Sequence, residues 1–171
     1  MERLTADDVK QLLGLRPHPR EGGWFVRVYE ASEMISPENF ADDRYDGPRR
    51  TGTAIYYLLE PETFSEMHVL ESDEIFHHYA GDPVEMLQLF PDGTGRKVIL
   101  GGDLTAGQQV QTVVPRGVWQ GSRLVSGGKV ALLGCTVSPG FEYEDYESGN
   151  RADLTRAWEE WTEAIAKLTR G

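Results

Sequence analysis

Three of the four histidines fall within eleven residues, as His68, His77 and His78, with Glu74 between them. Imidazoles and a carboxylate so close together suit three kinds of chemistry: holding a divalent metal, moving a proton, or hydrogen-bonding a polar ligand. They belong to residues 64–81, FSEMHVLESDEIFHHYAG, in which an alternating run and an aromatic run flank the acidic turn Glu71-Ser72-Asp73-Glu74. That pattern predicts two strands meeting at a tight bend. On a strand, His78 shares the face of Glu74 but lies roughly 13 Å away at about 3.3 Å per residue, too far to share one ion, and His77 points to the other face. His68 and Glu74 are left as the inner pair.

Other residues are candidates by type. Arg27, Arg49, Arg50 and Arg116 could meet an anion through the planar guanidinium fork. Arg49 and Arg50, in a polar loop, are expected on the surface, whereas Arg27 shares a strand face with Phe25 and Tyr29. Tyr29, Tyr56, Tyr57 and Tyr143 could return a proton taken by a histidine, and spacing does not choose among them. His18, between Pro17 and Pro19, is expected to be structural or exposed. Cys135, the single cysteine, lies in an apolar run and reads as a small buried hydrophobe; it cannot form an intramolecular disulfide.

These residues must be positioned by one domain, since 171 residues with 39% hydrophobic and 26% charged content suit a single core. Thr5 caps a short helix reaching Leu13, with Asp7 and Asp8 in its first turn and Val9, Leu12 and Leu13 at helical spacing. Strands are expected over 24–29, 53–59, 66–70, 75–79, 84–90, 96–100, 109–114, 118–125 and 129–137, punctuated by glycine and proline. Such spacing indicates an all-β sandwich or barrel with its β core over about 22–137. Residues 31–51 read as a long surface loop, functional or mobile rather than idle. Residues 141–149 read as an acidic, aromatic connector. A final helix over about 153–168 carries Leu154, Trp158, Trp161, Ile165 and Leu168 as a packing stripe.

The charge balance excludes one class of partner. With 28 acidic and 17 basic residues the net charge is -11, a field that repels nucleic acid. No apolar run is long enough to cross a bilayer, so no membrane partner is expected. The opening residues carry no basic-then-apolar signal, and a cytoplasmic location is expected.

Several stretches together resemble a known family. The spacing from Glu74 to Gly81, the position of His68 and the turn Pro115-Arg116-Gly117 match the cupin motifs. The stretches GGWF (22–25), TAIYYLL (53–59), SDEIFHHYAGDP (72–83), VPRGVWQG (114–121) and SPGFEYE (138–144) closely resemble the cupin-5 or DUF985 subfamily, over about residues 8–155. The resemblance implies a double-stranded β-helix, the RmlC-like cupin jelly roll, and a homodimer. An apolar outer sheet surface at Ile55, Tyr57 and Leu59 would give that dimer something to bury.

In metal-dependent cupins two histidines and a glutamate of the first motif and a histidine of the second hold the ion. Here those positions are His68, Leu70, Glu74 and Gln120, so a divalent metal would have only His68, Glu74 and Gln120. Without metal, His68, Glu74 and Gln120 would floor a cavity walled by Phe76, His78 and Trp119, with Arg27 and Tyr29 as further ligand contacts. That cavity would take a polar or carbohydrate-like metabolite. The alternatives are a sugar isomerase or epimerase with His68 as general base beside Glu74, a metal-dependent enzyme with a reduced ligand set, and a bland reading in which His68 and Glu74 merely satisfy one another.

Overall fold

The computed structural model describes residues 5–170. Helix α1 (Ala6–Leu13) opens on the expected cap: the Thr5 hydroxyl accepts from the Asp8 amide while the Asp8 carboxylate accepts from the Thr5 amide, and Gly14 closes the helix at φ 65°. The strands that follow are β1 (Arg16–Pro17), β2 (Trp24–Glu30), β3 (Met34–Ile35), β4 (Arg49–Arg50), β5 (Thr53–Leu59), β6 (Ser65–Leu70), β7 (Asp73–Gly81), β8 (Val84–Leu89), β9 (Gly95–Leu100), β10 (Gln111–Val114), β11 (Trp119–Leu124), β12 (Ala131–Ser138) and β13 (Tyr146–Ser148).

They build two facing antiparallel sheets. One has the order β1-β2-β5-β12-β7-β10, the other β13-β6-β11-β8-β9, and β3 pairs with β4 alone. β6 and β7 do meet at a tight bend, but they belong to different sheets, so residues 71–72 form a corner rather than a hairpin. The core between the sheets contains Phe25, Tyr57, Leu59, Phe76, Met86 and Leu133.

Local departures from the sequence pattern decide which side chains enter this interior. β2 pairs Arg27 with Ile55 but Tyr29 with Ala54, leaving Val28 as an extra residue in a bulge. A one-residue slip reverses the faces of everything beyond it. Phe25 and Arg27 therefore point inward, while Tyr29 is turned out and 56% exposed. On β5, Tyr57 and Leu59 are fully buried in the core and Ile55 packs against it. The expected outer surface of Ile55, Tyr57 and Leu59 is thus an inner one.

Three further expectations change. The 31–51 segment is folded down rather than loose: Tyr45 is buried and its hydroxyl bonds Glu71 O at 2.9 Å and Ser72 Oγ at 2.6 Å, fixing the β6–β7 corner. Arg49 is not a surface residue; it is 2% exposed and donates through Nε and Nη2 to both oxygens of Asp145 at 2.7 Å. The β core also extends beyond residue 137, because β13 lies in the presumed connector and pairs with β6.

The last helix is broken into α2 (Arg151–Ala157), a single 3₁₀ turn, and α3 (Thr162–Lys167). Trp158 leaves the helical region at φ -131° and donates its indole N–H to Phe90 O at 3.1 Å. The stripe nonetheless packs as its spacing implied: Leu154, Trp158, Trp161, Ile165 and Leu168 all cover the outer face of the second sheet around Met67, Leu87 and Leu89.

Candidate functional site

Between the sheets, at the end bounded by β2, β5, β6, β7 and β12, lies a narrow, partly open cavity of about 30 Å³. Its polar walls are His18, Glu21, Arg27, Thr53, His68 and Glu74, and its aromatic walls are Phe25, Phe141 and Tyr143. Ile55, Leu70, Cys135 and Val137 complete it.

Strand alternation brings His68 inward from β6, where it sits opposite Gln120 of β11. Only 1% of it is exposed. Its Nδ1 lies 2.7 Å from Glu66 O, and because a carbonyl can only accept, Nδ1 carries the hydrogen. The neutral ring then keeps its lone pair on Nε2, which no hydrogen bond reaches among the described residues. Tyr146 stacks on the ring at 4.8 Å and 17°, and its hydroxyl donates to Glu66 Oε1 at 3.0 Å.

Glu74 enters from β7 opposite Val137, and Gln120 Nε2 donates to its Oε2 at 2.6 Å. Burial, and then the nearby Glu21 carboxylate, push its pKa up to about 8; the Gln120 bond opposes them only in part. No hydrogen bond joins His68 to Glu74 among the described residues, so the bland reading of a mutually satisfied pair does not describe them. Burial, reinforced by Glu74, also pushes the Cys135 thiol well up, which suits a packed hydrophobe rather than a thiolate nucleophile.

Two walls were not anticipated from the sequence. His18 was expected to be structural or exposed, yet its side chain is 4% exposed and faces the cavity. Its Nδ1 accepts from the Glu21 amide at 2.8 Å, which leaves the hydrogen on Nε2, the reverse of His68. Burial lowers its basicity, partly offset by Glu21. Glu21 Oε1 accepts from Ser65 Oγ, while its Oε2 is 3.9 Å from His18 Nε2. The signal for this pair was the glycine pair that follows it. A Cβ on Gly22 would come 2.3 Å from Phe64 O, and one on Gly23 would come 2.8 Å from the Tyr57 hydroxyl. Only glycines let segment 16–23 press so closely onto the barrel.

Of the other residues expected here, Arg27 lines the mouth, tied to Glu30 at 2.7 Å and to Phe141 O at 3.3 Å. Gln120 stands behind Glu74 rather than in the cavity wall. Phe76 is core packing. His78 is half-buried, its Nε2 3.2 Å from Asp82 O, outside the cavity; His77 meets Thr136 Oγ1 at 3.2 Å. Trp119, on the face opposite Gln120, packs beneath the C-terminal helices. Tyr29 is excluded by the bulge. Arg116 binds Asp42 at 2.6 Å, and Arg50 donates to Ala31 O at 2.7 Å, both outside the lining. Among the four candidate tyrosines, Tyr143 alone lines the cavity.

The donor set does not suit a catalytic metal. Leu70 faces the cavity at one ligand position, and Gln120 turns its amide nitrogen, not its oxygen, toward Glu74. Among the described residues no group of three or more His, Cys, Asp or Glu is placed to hold an ion.

Two facing antiparallel sheets with a polar-walled cavity between them are the architecture of the cupin jelly roll. Residues 7–149 match the family model "Cupin superfamily (DUF985)", and the chain belongs to that family. It is 29% identical over 134 residues to the uncharacterized protein YML079W of Saccharomyces cerevisiae, covering 74% of this chain and 67% of that one. A hypothetical protein from Leishmania major superposes with a TM-score of 0.88 at 30% identity, over 98% of this chain and all of that one. Oxalate decarboxylase of Bacillus subtilis shares the fold alone, with a TM-score of 0.52 at 11% identity over 90% of this chain and 37% of that one. No helix among the described residues is long and apolar enough to cross a membrane.

Proposed function

We propose that this cupin holds a small polar, carbohydrate-like metabolite in the cavity between its sheets, without need of a metal. The observation that carries the reading is His68: almost fully buried, locked by Glu66 O and Tyr146, and facing the cavity with an unclaimed lone pair. A rigid acceptor amid aromatic walls is how small-molecule sites fix orientation. A metabolite screen by thermal melting tests it. A ligand should raise the melting temperature, and Glu74→Gln should shrink that shift; a broad screen with no hit at millimolar concentration sinks the proposal.

A second reading is favoured by Tyr143. In an isomerase or epimerase, His68 Nε2 would take a proton from the carbon beside a carbonyl, the electron pair would pass to the carbonyl oxygen, and the Tyr143 hydroxyl would return a proton on the other face. The sign is solvent deuterium entering keto-sugars; exchange that is absent, or unaffected by His68→Ala, removes that role. A cytoplasmic homodimer fits either reading. With Ile55, Tyr57 and Leu59 turned inward, the pairing surface would be the outer face of the six-stranded sheet, where Tyr56 and Tyr79 meet edge to face at 6.0 Å.

A further inference from the structure

The cavity holds two buried carboxyl groups, Glu21 and Glu74, and no cation matched to them. Glu21 is 9% exposed and Glu74 6%. Among the described residues no Lys or Arg nitrogen lies within ion-pair distance of either, and Glu21 Oε2 accepts no hydrogen bond, with His18 Nε2 3.9 Å away. A buried carboxylate is costly unless a positive charge or several donors meet it. Arg27 reaches the same space but is already engaged by Glu30 and Phe141 O. At neutral pH the buried Glu74 keeps its proton, so the charge left without a matched cation is that of Glu21.

We infer that the preferred ligand is a small organic cation, a primary amine whose ammonium sits against Glu21 and Glu74 and whose body lies against Phe25, Phe141 and Tyr143. The inference rests on the metabolite-binding reading and names the ligand class within it. The ammonium supplies three hydrogens to a site rich in acceptors: the free Glu21 oxygen, the Glu74 carboxyl and the His68 lone pair. Aromatic faces attract such a cation, and the net charge of -11 draws it toward the mouth. An anionic ligand would instead bring a second negative charge beside Glu21. Among the described residues no three His, Cys, Asp or Glu groups are placed to hold one metal ion, and a metal makes no use of the aromatic walls.

Matched pairs of probes test this. Glucosamine against glucose, and benzylamine against benzyl alcohol, are titrated calorimetrically into the whole protein at neutral pH. At least one amine should bind about tenfold or more tighter than its neutral partner. Glu21→Gln, which keeps the shape and the Ser65 bond, should erase that preference. Neutral partners binding as well as the amines would overturn the cation inference and leave the metabolite reading standing. If none of the four binds in the millimolar range, both fall. Stoichiometric manganese(II) binding that excludes the amines would overturn it in favour of a metal.

Discussion

Gln120 donates its side-chain amide to Glu74 across the barrel interior at 2.6 Å, joining the two sheets at the floor of the cavity. Its own Oε1 is buried without a partner among the described residues. The pair therefore stands where a metal centre would need a ligating atom, with a hydrogen-bond donor aimed at the carboxylate instead. Manganese(II) or zinc(II) added to the apo protein should leave the melting temperature within error, and L70H/Q120H, which restores imidazoles at both replaced positions, should gain a metal-dependent rise.

Glu74 should make stability fall with rising pH. Its acidity is shifted from an ordinary value of 4.5 to about 8 in the fold. Between those two pH values the folded state holds a proton that the unfolded chain has released, so the slope of unfolding free energy with pH is negative there and flattens above 8. The loss across the window is on the order of a few kcal/mol. Glu74→Gln removes the titrating group. Melting curves between pH 5 and 9 should show the variant gaining on wild type as pH rises; parallel curves would contradict the shift.

The two cavity histidines should be opposite tautomers when neutral. Long-range nitrogen-proton NMR spectra should show the His68 hydrogen on Nδ1 and the His18 hydrogen on Nε2, from their bonds to Glu66 O and the Glu21 amide. Finding the His68 hydrogen on Nε2 would remove the basis for His68 as acceptor or base.

Arg49 should be among the costliest single positions outside the cavity. Truncation to Ala strands Asp145, whose side chain is 7% exposed, and releases the bond that anchors the 3₁₀ turn before β13. The expected loss is about 3–5 kcal/mol in urea titrations. Lysine should not rescue it, because one ammonium cannot make the two-pronged bond. Arg49→Met with Asp145→Leu should recover much of the loss.

The sequence made the general architecture legible and about half of the cavity. Alternation and turn chemistry give the strands because they are local. His68 and Glu74 were readable as inward because each lies on a regular strand. Tyr29 was not, because the Val28 bulge that turns it out depends on pairing with β5, not on any residue pattern within β2. His18 and Glu21 escaped notice for a related reason: their segment has no periodicity, and its burial comes from contacts with Phe64 and Tyr57, far along the chain. Trp119 could have been placed correctly, since it adjoins Gln120 and neighbours on a strand face opposite ways.

The first residues of β6 are gripped from both flanks. Glu66 N donates to Glu21 O at 2.9 Å, Met67 N donates to Leu168 O at 2.7 Å, and Arg170 ties the flanks together by donating to Arg20 O at 2.6 Å. His68 is thus aimed by a clasp whose last part is translated about 100 residues after it, a delay of about 5–20 s at 5–20 residues per second. A nascent chain lacking that part lacks the bonds from Met67 to Leu168 and from Arg170 to Arg20 that close this clasp.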